Sequence, residues 1–130
     1  LDHCAGERRA RHHPLRRQRR MCIRDRTGDG PLVFGHRGAR GHAPENTLLG
    51  IETGIRLGAD WIEVDVHLNA GNPVLMHDLT LDRTTNGRGF VADVPPDYLA
   101  ELDAGRGQKV PSVLDAIDMI DRRAGLNLEL

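Results

Sequence analysis

Aromatic residues are scarce: one Trp, one Tyr and two Phe make up 3% of this 130-residue chain. That leaves no aromatic cluster to seat the protein against lipid and no rings interleaved with its basic residues to stack on bases. Cysteine is as rare. Cys4 and Cys22 both fall in the first 26 residues, so neither a disulfide framework nor a thiol nucleophile is indicated for the remainder. No apolar run approaches the ~20 residues a membrane-crossing helix needs. Net charge is nearly absent too, at -1. What is present, at 38% apolar and 28% charged residues, is a globular composition with enough length for one core.

The near-neutral balance averages two unlike pieces. Residues 1–26 hold nine Arg against Asp2, Glu7 and Asp25, while the rest hold nine Lys or Arg against sixteen acids. The Arg-rich start shows no helical or strand periodicity. A basic arm for nucleic acid or anionic lipid is one reading and a mitochondrial presequence another, but the segment lacks both base-stacking rings and an apolar face. The favoured expectation is translated non-coding or adaptor DNA. Residues 1–28 are set aside as a non-native or disordered leader, with no nucleic-acid partner and no membrane span expected, and residues 29–130 as the folded unit. The compartment stays open, with the cytoplasm as the default.

The most informative segment is Trp61-Ile62-Glu63-Val64-Asp65-Val66-His67-Leu68. Side chains alternate along a strand, so Ile62, Val64, Val66 and Leu68 pack one way while Glu63, Asp65 and His67 point the other. Two acids on one buried face repel and need a cation; a hard metal ion with oxygen ligands meets that need. A solvated strand face is the alternative.

Around it the elements are legible. Residues 31–35 read as a short strand running into His36-Arg37-Gly38. Asn46 or Thr47 can cap a helix through Leu48, Ile51, Ile55 and Leu57 that closes at Gly58. With the 61–68 strand this makes a βαβ unit, expected parallel and right-handed. Pro73 to Asp78 could be a strand; otherwise residues 69–110 read as an irregular insertion. Ser112 starts a second helix with apolar Val113, Leu114, Ile117 and Ile120, ended by Gly125. Leu126 to Leu130 then alternates, with Asn127 and Glu129 on one side. Such an order opens either a parallel barrel or a doubly wound sheet. The inward acids favour a barrel, because open sheets are covered by helices on both faces.

Taken together, His36-Arg37-Gly38, Ala43-Pro44-Glu45-Asn46-Thr47, Glu63-x-Asp65, His77-Asp78, Arg83-Thr84-Thr85-Asn86-Gly87-x-Gly89 and Asn127-x-Glu129 resemble the glycerophosphodiester phosphodiesterase family over residues 31–130. The resemblance implies an α/β fold, the N-terminal part of a TIM-type (β/α)8 barrel with an insertion after strand 2. It implies hydrolysis of a small glycerophosphodiester to sn-glycerol 3-phosphate and an alcohol, dependent on a divalent cation, Mg²⁺ or Ca²⁺. Glu63, Asp65 and Glu129 match the family's metal carboxylates, and His36 and His77 its acid and base in an order left open. Arg37 beside His36 suits two phosphoryl oxygens and so serves both catalysis and substrate binding.

Glu45 and Asn46 are assigned to the turn and helix cap, His67 is left out, Gly87 and Gly89 are expected at positive φ, and Arg83 and Thr84 could touch substrate. Only three of eight barrel strands are accounted for, and the resemblance places a lysine a residue or two beyond Glu129. The isolated chain is therefore expected to aggregate and to turn over little. A related barrel phospholipase and a catalytically incompetent metal-dependent binding module are the competing readings.

Overall fold

Strand β2, Trp61–Asn69, is the element to which the others attach, in a computed structural model that describes residues 30–130. The leader lies outside the described residues. Strand β1, Phe34–Gly35, pairs parallel with the start of β2 (Phe34 with Trp61, Gly35 with Ile62). Strand β3, Asn72–Leu75, folds back antiparallel on its far end, and β4, Gly125–Glu129, lies parallel from Trp61–Gly125 to Asp65–Glu129. Helix α1, Leu48–Arg56, connects β1 to β2; α2, Pro96–Glu101, lies within the insertion; α3, Val113–Ile120, precedes β4. The two parallel pairings follow from the βαβ order read in the sequence.

Thr47, and not Asn46, caps α1: its side chain accepts the Gly50 N–H at 3.1 Å. At α3 the Ser112 hydroxyl accepts the Asp115 N–H while the Asp115 carboxylate accepts the Ser112 N–H, a reciprocal capping box. Both helices turn their apolar stripes to one side of the sheet. Ile51, Ile62, Val64, Val66, Leu75, Val113, Ala116 and Ile120 form the main core.

Several expectations are corrected. Helix α3 ends at Asp121, left-handed at φ 41, and Gly125 instead begins β4. Leu114 and Ile117 face outward at 70% and 48% exposure, because Ala116 rather than either of them fills the inner stripe. Leu57 and Leu68 are also exposed; Leu68 pairs with Pro73 next to the turn of the β2–β3 hairpin. Ala70 and Gly71 turn that hairpin with φ 47 and 82, the two positive values a two-residue turn between twisted strands requires.

The insertion is not irregular. It builds a small core of its own from Val74, Met76, Leu81, Val91, Leu99 and Leu102, and the buried Asn69 side chain donates to the carbonyls of Val91 and Val94 at 2.7 and 2.8 Å. Its six-residue α2, opened by Pro96, is too short for helical periodicity to register. Of the two insertion glycines, Gly89 has positive φ (103) and Gly87 is not among the positive-φ residues. Gly87 is small for a different reason: a Cβ there would lie 2.5 Å from Leu102 Cδ1.

Gly38 is required twice over, by its φ of 84 and by the Gly50 carbonyl carbon, which a Cβ would approach to 2.5 Å. The obstructing atoms are all backbone, so no side chain can swing away to make room. Gly38→Ala is expected to destabilise the fold by at least ~2 kcal/mol, read as a lower denaturation midpoint at unchanged slope.

Candidate active site

Carbonyls two residues apart on a strand point to the same edge, and β2 uses this to gather two loops. The Glu63 carbonyl accepts the Gly38 N–H at 3.1 Å and the Asp65 carbonyl accepts the Met76 N–H at 3.0 Å. The β1–α1 turn carrying His36 and Arg37 and the segment carrying His77 are thereby docked side by side. His67, set aside in the sequence, contributes: its Nε2 lies 3.0 Å from the His77 carbonyl, which can only accept.

Glu63 and Asp65 point to one face, as alternation requires, and both are buried, at 7% and 6% exposure. One Glu63 oxygen accepts the Arg37 N–H at 2.9 Å; the other, Oε1, is buried without a hydrogen-bond partner. Asp65 is better supplied. Asn46, left-handed at φ 54, donates its amide to Asp65 Oδ2 at 2.8 Å and accepts the Asp65 N–H at 3.2 Å. The β2–β4 register sets Glu129 beside Asp65, and oxygens of Glu63, Asp65 and Glu129 lie within 4.8 Å of one another.

Arg37 is buried, with Nη1 on Glu45 Oε1 at 3.0 Å and Nε 3.3 Å from Asp65 Oδ2 but in hydrogen bond with nothing. One cation against three clustered carboxylates leaves negative charge uncompensated. The partnerless Glu63 oxygen and an all-carboxylate donor set fit a hard divalent ion, and contain none of the nitrogen or sulfur that zinc prefers.

His36 is exposed, its Nε2 3.9 Å from Glu63 Oε2. His77 donates Nδ1–H to Asp78 Oδ1 at 2.7 Å, since an ionised carboxylate only accepts. Glu45 and Asn46 do more than the turn and cap assigned to them. With Thr47 holding the cap, the Asn46 side chain is free to hold Asp65, and Glu45 takes three guanidiniums: Arg37, Arg40 at 3.2 Å and Arg83 at 2.7 Å. The available signal was a Glu-Asn pair placed directly before a helix whose cap another residue could supply. Arg83 spans Glu45 and Asp78.

These pairs set the local charge. Burial pushes the Glu45 carboxyl up, but hydrogen bonds from Arg83 and Arg37 together outweigh it and hold the group below its ordinary value. Asp78 is held well below the carboxylate range by hydrogen bonds from Arg83 and then His77, and Arg83 is raised in return by Asp78 and Glu45. Both acids have folded pKa values beneath their unfolded ones. Their contribution is complete above pH ~5 and fades as pH falls below it. Arg83→Met is therefore expected to reduce stability only slightly at neutral pH, because the pair is half-exposed, with the gap to the parent chain closing in acid; paired denaturation curves from pH 7 to 3 check this.

The glycerophosphoryl diester phosphodiesterase family model matches residues 36–130. The chain belongs to that family. A glycerophosphodiester phosphodiesterase of Caldanaerobacter subterraneus is 40% identical over 108 residues, covering 76% of this chain and 44% of that protein. Among solved structures, an Oleispira antarctica phosphodiesterase in complex with the product sn-glycerol-3-phosphate matches with TM-score 0.72 and 41% identity, over 75% of this chain and 43% of that one. A glycerophosphodiester phosphodiesterase from Agrobacterium tumefaciens gives 0.73 and 37%, over 76% and 46%.

The chain thus spans less than half the length of the relatives it matches. Strands β1, β2 and β4 with helices α1 and α3 are the N-terminal part of the family's (β/α)8 barrel, and residues 69–110 follow its second strand. The cluster of Glu63, Asp65 and Glu129 lies on neighbouring parallel strands of that barrel, and Glu129 is the last residue of β4.

Proposed function

We propose that this chain carries the cation-binding and proton-transfer groups of an enzyme that hydrolyses glycerophosphodiesters to sn-glycerol 3-phosphate and an alcohol. One observation carries the reading: carboxylate oxygens of Glu63, Asp65 and Glu129 converge within 4.8 Å. They do so beside the turn that holds His36 and Arg37. Family membership supports it, as does the solved relative that holds sn-glycerol-3-phosphate.

Glu63, Asp65 and Glu129 would hold Mg²⁺ or Ca²⁺; when bound, such an ion supplies fixed positive charge against phosphoryl oxygens. Arg37 adds a guanidinium already oriented by Glu45, so little reorganisation is needed when charge grows on the phosphoryl group. The new P–O bond forms to an attacking hydroxyl whose proton must leave, and the old one breaks to an alkoxide that must gain one. His77, with Nδ1–H committed to Asp78, offers a bare Nε2 and serves as base. His36, exposed at the rim, donates a proton of its own to the departing alkoxide, which leaves as the alcohol. The substrate is a small molecule, and the family resemblance suggests its glycerol 2-hydroxyl as the attacking group; that attack expels the alcohol and leaves a cyclic glycerophosphate, which water opens to sn-glycerol 3-phosphate.

In a version extended to full barrel length, glycerophosphocholine should yield sn-glycerol 3-phosphate when Mg²⁺ or Ca²⁺ is added and cease to do so with a chelator. Absence of product with either ion overturns the proposal.

A further inference from the structure

We infer that Arg83 is a positioning residue that links Arg37 to His77 and, through Asp78, selects the His77 tautomer. The inference rests on the proposed function and deepens it. Arg83 Nε and Nη2 reach Asp78 Oδ2 and Oδ1 at 2.7 and 2.9 Å, and Nη1 and Nη2 reach Glu45 Oε2 and Oε1 at 3.1 and 2.7 Å. Each carboxylate then shares an oxygen with a second partner. Glu45 Oε1 also accepts from Arg37 Nη1, and Asp78 Oδ1 also accepts from His77 Nδ1. The result is a continuous line, Arg37–Glu45–Arg83–Asp78–His77, between two candidate catalytic groups on separate loops.

A half-exposed ion pair adds little to stability, and Arg83 is 44% exposed at its side chain. What the paired contact does supply is orientation. Gripping both Asp78 oxygens fixes the plane of the carboxylate, so that Oδ1 faces His77 and favours hydrogen on Nδ1. The bare Nε2 that a base needs follows from this. Lysine keeps the charge but not the planar fork, and would leave the carboxylate free to rotate.

The test is long-range ¹H–¹⁵N correlation of the histidine rings at a pH above the imidazole range. It is run on the ¹⁵N-labelled chain and on a version extended to barrel length. His77 is expected as Nδ1–H in the parent protein. In Arg83→Met and Arg83→Lys the ratio of Nδ1–H to Nε2–H should fall about tenfold, the scale of one charge-assisted hydrogen bond. Glu45→Gln, which removes only the other end of the link, should leave His77 as it was.

A parent His77 in the Nε2–H form overturns the inference. So does an unchanged ratio in the Arg83 variants, or a Glu45→Gln shift as large as theirs, which would reduce Arg83 to a clip between loops. If Arg83→Met loses its dispersed amide spectrum, Arg83→Lys decides on the same signal. The readout needs no turnover: a parent protein without hydrolysis removes the proposed function but not the tautomer result, and an unaltered tautomer removes the role of Arg83 but not hydrolysis.

Discussion

Glutamine at position 63 is expected to weaken binding of Mg²⁺ or Ca²⁺ at least ~100-fold, beyond the range lost when a mere supporting contact to a ligand is removed. The structure sets the sign of a second, less obvious effect. Glu63 Oε1 is buried without a hydrogen-bond partner and the Glu63 carboxylate clusters with two others, so in metal-free protein the charge is a burden on the fold. Removing it should leave metal-free stability unchanged or raise it by up to ~1 kcal/mol. Asp65→Asn goes the other way. Asp65 accepts from Asn46 and neighbours the buried Arg37, and neutralising it leaves that guanidinium with Glu45 alone. Metal-free stability should then fall by ~1–3 kcal/mol. Calorimetric titration with each ion, together with denaturation in chelator, separates the two effects. Equal cation affinity in the parent chain and Glu63→Gln would remove the carboxylate cluster as the binding site.

The histidines should show the reverse pattern. In protein of barrel length, His36→Ala and His77→Ala are each expected to lower hydrolysis of glycerophosphocholine ~10²- to 10⁴-fold, the usual worth of a positioned acid or base. Cation affinity should stay close to that of the parent. Both side chains are substantially exposed, at 60% and 43%, so truncation opens no cavity and a loss of activity cannot be laid to unfolding. Asp78→Ala should resemble a weak His77→Ala, since the ring remains but its Nδ1 partner is gone. Turnover unchanged in either histidine variant would take that residue out of the mechanism.

The parts of this site that could be read in the sequence are those governed by local periodicity. Glu63 and Asp65 share a face because strands alternate, and Glu129 joins them because β4 continues the βα rhythm into register with Asp65. What escaped reading depended on contacts across long separations. Glu45 and Asn46 looked like turn residues because their partners lie far off in sequence, Asp65 and Arg83 among them. His67 had no visible purpose until β3 returned the His77 carbonyl to it. The six-residue α2 and the small insertion core stayed hidden because Leu81, Val91, Leu99 and Leu102 are scattered without a period, and the outward Leu114 and Ile117 could not be told from inward residues by apolarity alone.

By itself, then, the sequence determined the order of the strands and of helices α1 and α3, the capped starts of those two helices, and which side chains of β2 share a face, because each depends on neighbours within a turn or two of chain. The tertiary structure alone decided which partner each charged group would find: Arg83 between Glu45 and Asp78, Asn46 on Asp65, and Glu63 with an oxygen left over. The physical reason is range. Propensity and periodicity act within a few residues, whereas Arg83 on Glu45, Asn46 on Asp65 and Glu129 beside Glu63 are settled only when the fold brings groups 38, 19 and 66 residues apart to within a few ångströms.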